Sequence, residues 1–182
     1  MAVKTSIEQA EGIYFITFTC QHWLPLFEIT NSYDTVYKWF DYLKNKGHYI
    51  KGYVIMPNHL HVLIDFGAAE KSINIIVSNG KRFIAYEIVK RLQHQNESRL
   101  LLQLKERVTS SDKDRGKQHQ VFERSFDCKE ITNQHFFLEK LSYIHNNPCS
   151  SVWNLAGSPV DYNHSSAKYY IEGEQGVYSI CD

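Results

Sequence analysis

The stretch "HYIKGYVIMPNHLHVLIDF", residues 48–66, carries the reading that decides the fold. Both halves are rich in β-branched and aromatic residues, and Pro57-Asn58 between them marks a turn or bulge. The pattern predicts two antiparallel strands, 48–56 and 59–66. Strand side chains alternate between faces, so His59 and His61 point the same way. Leu60, Val62 and Ile64 point the other way and need a packed partner. Two imidazoles side by side are costly core packing but give two nitrogen ligands at a workable bite for one cation. Two histidines hydrogen-bonded at a sheet edge are the purely structural alternative.

Outward from this hairpin, "GIYFITFTC" (12–20) alternates as a strand does. Asn31 or Ser32 can cap a helix running to about Lys46, with Tyr33, Val36, Tyr37, Phe40 and Leu43 at helical spacing and Gly47 as its stop. Ser72 opens a long helix to about His94, with Ile73, Ile76, Val77, Phe83, Ile84, Ile88 and Leu92 on one side. Gly80 inside it costs ~1 kcal/mol relative to alanine, which points to a kink or a close contact. "VTSSDKDRGKQHQ" (108–120) reads as a mobile loop and "VFERSF" (121–126) as a short strand. Thr132 is the expected cap of the last helix, "NQHFFLEKLSYIHNNP", which Pro148 stops.

The order β-α-β-β-α-β predicts an α+β fold, a ferredoxin-like split βαβ sandwich. Its antiparallel sheet would carry helices on one face and leave the other partly open, with the histidines on the open face. Residues 1–148 are expected to form the catalytic domain and 149–182 an irregular C-terminal tail of that domain.

Composition sets bounds on the chemistry. Of 182 residues, 43% are hydrophobic and 14% aromatic, enough to fill a real core. Cys20, Cys128, Cys149 and Cys181 are scattered, without a C-x-x-C pair, and read as incidental thiols. No apolar run approaches the ~20 residues of a membrane helix. "MAVKTSIEQAEGIYF" lacks the basic-then-apolar pattern of a signal peptide, so a cytoplasmic protein with no membrane partner is expected. Net charge is zero and the pI about 7.1, which excludes a general electrostatic hold on nucleic acid. Such a partner would need local patches: Lys81/Arg82, Lys90/Arg91 or Lys113/Arg115/Lys117.

Two histidines do not complete a metal site, and the last helix can supply more. At about 100° per residue, Phe137, Leu138, Leu141 and Ile144 form an apolar arc. Tyr143 lies off that arc, Asn147 beside it at i+4, and Lys140 at i−3 on the same side. His145 lies about 160° from Tyr143, on the apolar side, and reads as structural. A phenol has a pKa of ~10 and is a poor nucleophile until a base, cation or metal favours phenolate.

"MPNHLHVLI" followed later by "YIHNNP" resembles the HUH single-tyrosine transposases, in particular the REP-associated tyrosine transposase branch. HUH denotes two histidines around a hydrophobe. "GKRFIAYEI", "VFERSFDCKEI" and "YNHSSAKYY" extend the resemblance over roughly residues 10 to 170. The resemblance implies metal-dependent cleavage and rejoining of single-stranded or hairpin DNA through a 5′-phosphotyrosine intermediate. It implies His59 and His61 as the pair, Tyr143 as nucleophile, Asn147 as the third ligand and Mg²⁺ or Mn²⁺ as cofactor. Asn147 precedes Pro148, and pre-proline residues avoid the α region, so Asn146 stands as the alternative ligand. Lys81, Arg82 and Lys140 are the expected DNA contacts, on a monomer or homodimer. Other readings are a domesticated binder of hairpin repeats, a purely structural domain, and a two-histidine phosphoesterase. The last needs two H-x-[ST] motifs, and "HSS" (164–166) supplies only one.

Overall fold

The computed structural model describes residues 11–68 and 71–180; Cys181 and the first ten residues lie outside them. In chain order the elements are β1 (Gly12–Thr19), α1 (Leu26–Ile29), α2 (Tyr33–Asn45), β2 (His48–Ile55), β3 (His59–Phe66) and α3 (Ile73–His94). There follow α4 (Ser98–Glu106), α5 (Ser110–Asp114), β4 (Asp127–Glu130), α6 (Gln134–Asn146) and α7 (Ala167–Glu172). The sheet order is β2-β3-β1-β4 and every neighbouring pair is antiparallel. That is the order of two interleaved split βαβ units, and the α+β, ferredoxin-like expectation holds.

Alternation along the strands sorts the two faces. Tyr14, Ile16 and Phe18 of β1 and Leu60, Val62, Ile64 and Phe66 of β3 pack against Val36, Trp39, Phe40 and Leu43 of α2 and the buried face of α3. Ser72 caps α3, its side chain accepting from the Ile75 N–H. Gly80 is a close contact rather than a kink, because a methyl group there would overlap the Trp39 ring.

The opposite face is not open. Leu141 and Ile144 of α6 pack there on Phe15, Val54, Met56 and Leu63. The apolar arc of α6 needs apolar partners, and those four residues offer them beside the histidines. The helices therefore do not all share one face: α2 and α3 take one, α6 the other. A register shift between Ile50 and Gly52 puts Gly52 beneath α6, where a Cβ would lie 2.6 Å from Leu141 Cδ1.

Several local expectations need correction. The fourth strand is Asp127–Glu130, whereas 121–126 makes only an isolated bridge, Cys20 with Phe122. Pairing with β1 selects the strand there, not local propensity. The segment 108–120 contains α5, capped by Thr109 and tied by an Arg124–Asp112 ion pair of 2.9 Å. Asn133, not Thr132, caps α6. The tail carries α7, and its 164–166 segment hydrogen-bonds along the β2 edge through Ile55 N to His164 O and Ser166 N to Tyr53 O. No helix among the described residues is long and apolar enough to cross a membrane.

Candidate metal and nucleophile site

His59 and His61 stand next to each other on β3, ring centroids 4.6 Å apart. Both are buried, at 3% and 5% exposure, under α6 and the tail. Each Nδ1 is held. Asn58 Oδ1 can only accept, so the 2.7 Å bond makes His59 Nδ1 the protonated nitrogen. Asn58 Nδ2 donates at 2.9 Å to the Trp23 carbonyl, which fixes the amide's orientation. Thr17, paired with His61 across β1 and β3, holds His61 Nδ1 at 2.6 Å. This leaves His59 Nε2 as the nitrogen free to ligate, and His61 Nε2 likewise when the Thr17 hydroxyl accepts from Nδ1–H.

Burial sets their charge. It pushes His59 down to about 4, against a smaller upward pull from the Asn147 carboxamide, and His61 well below its ordinary range. Both imidazoles are therefore neutral near pH 7 and carry the lone pairs that a metal requires.

Asn147 is helical at φ −55° and ψ −46° despite preceding Pro148, since a 3₁₀ turn over Asn147–Cys149 continues α6. Its Oδ1 is buried without a hydrogen-bond partner, although its side chain lies close enough to His59 to favour the charged ring. An orphaned oxygen of this kind costs about 1–3 kcal/mol unless something else satisfies it. Asn146 instead turns back along the helix, its Nδ2 donating to Ser142 O at 2.9 Å. Two imidazoles and one unpaired carboxamide oxygen fit a divalent cation. No group of three or more His, Cys, Asp or Glu side chains gathers among the described residues, so an all-acidic or thiolate site is not the alternative.

Tyr143 is 51% exposed and its ring lies 5.1 Å from that of His61, edge to face. The phenol borders the histidine pair and remains open to solvent. Lys140 sits one turn earlier, its Nζ 5.8 Å from the centre of the Phe15 ring, which itself stacks on His61 at 5.6 Å. Lys140 also pairs with Glu139 at 2.8 Å. His145 is buried and meets Ser166 Oγ at 2.9 Å, tying α6 to the tail.

The Lys81/Arg82 patch is not one patch. Lys81 is largely buried, its ammonium donating to the carbonyls of Glu123 at 2.7 Å and Ser125 at 3.1 Å. Burial lowers it to about 8. Arg82 is exposed and bonds Asn79. Sequence reasoning missed Thr17, Asn58, Trp23 and Trp153, the last with its ring 5.5 Å from His59. Asn58 adjoins the histidines in the chain and was within reach of such reading. Thr17 reaches His61 only through strand register.

The fold defined by this sheet and its helices has a structural relative. The chain is similar to the REP-associated tyrosine transposase bound to a REP hairpin, with a TM-score of 0.60 and 16% identity over 100% of this chain and 92% of that one. A candidate transposase from Deinococcus radiodurans R1 matches at a TM-score of 0.44 and 15% identity, over 74% of this chain and 88% of that one. No family model matches the chain, and neither does any curated protein.

Proposed function

We propose that the protein cleaves and rejoins single-stranded DNA, in or beside a hairpin, through a covalent bond to Tyr143. One observation carries the reading: an exposed phenol, two neutral imidazoles and an unpaired carboxamide oxygen converge from β3 and α6. The shared fold adds support, because the relative is bound to a hairpin.

His59, His61 and Asn147 would hold Mg²⁺ or Mn²⁺, which when bound supplies Lewis-acid polarisation of the scissile phosphate. Asn58 keeps His59 in the ligating tautomer, and Thr17, by accepting from His61 Nδ1, would do the same for the second ring. Tyr143 Oη attacks phosphorus, forming the O–P bond of a 5′-phosphotyrosine as the bond to the 3′ oxygen breaks. Rejoining is the reverse. One phosphodiester replaces another, so no energy source is consumed. Lys140 brings positive charge to the same edge, and one chain carries every group named, so a monomer suffices.

The test is incubation of labelled hairpin oligonucleotides bearing single-stranded arms with the protein and Mn²⁺. A denaturation-resistant adduct that needs both Tyr143 and the metal is expected. Tight hairpin binding without any adduct would overturn the chemistry and leave a binder of hairpin repeats.

A further inference from the structure

A groove of about 170 Å³ opens beside the histidine pair, lined chiefly by Thr17, Thr19, Trp23, Glu123, Ser125 and Asp127. It shares two residues with the surroundings of the site. Thr17 holds His61, and Trp23 leans edge-on against His59 with ring centroids 5.8 Å apart. Trp23 is 61% exposed, a large aromatic surface, and among the described residues no ring stacks on its outer side.

The Trp23 loop is held in place from two directions. His22 and Trp23 are consecutive non-glycine residues with φ of +54° and +58°, a conformation that persists only where the surroundings enforce it. The His22 N–H donates to Glu123 Oε1 at 3.0 Å, and Asn58 grips the Trp23 carbonyl. The facing wall, 123–125, is tied down by Lys81.

Charge decides what the groove takes. No basic side chain lines it, so a phosphate is disfavoured, whereas its carboxylates and hydroxyls accept hydrogen bonds. Asp127 pairs directly with Thr17 across β4 and β1, so its carboxylate stands on the histidine face. Among the described residues Asp127 has no side-chain hydrogen bond or ion pair, while Glu123 is engaged by His22. The volume is below that of drug-sized pockets and suits one planar ring system.

We propose that this groove receives one unpaired base next to the scissile phosphate, Trp23 stacking on its face and Asp127 accepting from its edge. The proposal rests on the single-stranded DNA reading above. It also sets a preference. Guanine presents two adjacent N–H donors that match a carboxylate. Adenine and cytosine place an acceptor beside their amino group, and thymine flanks its single N–H with two carbonyls. Aromatic stacking tolerates every base, so Trp23 supplies affinity and Asp127 supplies choice.

The experiment is a binding selection on hairpin oligonucleotides with randomised single-stranded arms, using full-length Tyr143→Phe protein with Mn²⁺ so that cleavage plays no part. One arm position should favour guanine over thymine about tenfold, the worth of one bidentate contact. Asp127→Asn should reduce that ratio to about twofold or less at that position alone. Trp23→Ala should weaken binding of every arm about tenfold and keep the order of preference. Guanine preference that survives Asp127→Asn, or no preference at any position, overturns the proposal. Adduct formation by the unmutated protein is scored separately. Its absence alongside an intact Asp127-dependent preference would sink the cleavage chemistry and not the groove.

Discussion

On one face of the sheet, Tyr14, Ile16, Phe18, Leu60 and Val62 meet α2 and α3 in a continuous apolar core. On the other, Phe15, Val54, Met56 and Leu63 meet Leu141 and Ile144 of α6 in a smaller cluster edged by Phe137, Trp153 and Tyr162, beside two buried imidazoles and an orphaned amide oxygen. Burying polar groups costs free energy unless each finds a partner. The first face buries some as well, Trp39 Nε1 and His48 Nδ1 among them, but beside a much larger apolar cluster. The second tolerates them because the first supplies the stability. This contrast predicts that substitutions on the two faces fail differently: first-face changes should lower stability, and second-face changes should lower activity beyond any loss of stability.

The sharpest break is Tyr143→Phe, which removes one exposed oxygen and keeps the ring against His61. Adduct formation should fall at least about 10³-fold with an unchanged melting temperature. A wild-type rate of adduct formation would move the nucleophile elsewhere.

Next come the groups proposed to hold the metal. His59→Ala should remove measurable Mn²⁺ binding in a calorimetric titration. Imidazole ligands also imply that Mn²⁺, Ni²⁺ or Zn²⁺ binds more tightly than Mg²⁺. Thr17→Val releases the Nδ1 anchor of His61, and Asn58→Ala that of His59 together with the Trp23 carbonyl, so affinity should drop about 10–100-fold. Binding unaffected by Thr17→Val would mean that the hydroxyl does not orient His61.

Two glycines compare the faces directly. Gly80→Ala crowds Trp39, and Gly52→Ala crowds Leu141. Each overpacks a contact and should cost about 1–3 kcal/mol in denaturant unfolding. Only Gly52→Ala displaces α6, and a shift of about 1 Å at the nucleophile can cost about 10²-fold in rate. Equal activity losses in both variants would erase the distinction between the faces.

A smaller effect separates the rim of the larger core. His164 stacks on Tyr33 at 3.6 Å, shares a hydrogen bond with the Tyr37 hydroxyl at 2.9 Å and lies near Tyr162. Burial lowers it from an ordinary 6.5 to about 4. Below pH 6.5 the unfolded chain takes up a proton that the folded chain refuses. Stability is therefore fully present above 6.5 and is lost as pH falls from 6.5 toward 4. Urea midpoints at pH 7 and pH 5 should differ less in His164→Asn than in the unmutated protein.

The smallest effect is electrostatic. DNA affinity should fall with salt, and Arg82→Ala should reduce the slope by about 0.7 if Arg82 meets one phosphate. Lys81→Met should act mainly through the 123–125 wall, because its ammonium is already bonded to backbone carbonyls.

The strands and long helices were legible because alternation and helical spacing are local: β1, β3 and the Ser72 cap all follow from neighbours in the chain, whereas only Trp39, from α2, decides that Gly80 marks a contact and not a kink. The position of β4 was not, because "DCKE" has little strand propensity and forms by pairing with Ile16 and its neighbours. The pairing of Thr17 with His61 is hidden for the same reason. The closure of the histidine face depends on Gly52 admitting α6, a fit between distant segments. Lys81 read as surface because a charged side chain on a helix usually is, and only the carbonyls of 123–125 reveal otherwise. The fate of the Asn147 side chain depended on whether the turn through Pro148 stayed helical.

The docking of α6 on the smaller core also orders events in time. During synthesis β3 emerges well before Gln134–Asn146, and the larger core, though it draws nothing from α6, takes in Ile180 from beyond it. Until α6 settles over Gly52, the histidines have neither Tyr143 nor Asn147 beside them. A nascent chain that stops short of α6 therefore carries the imidazole pair without the phenol and the carboxamide, and the activity proposed above should be absent from it. The histidine face is completed by a segment far downstream of β3.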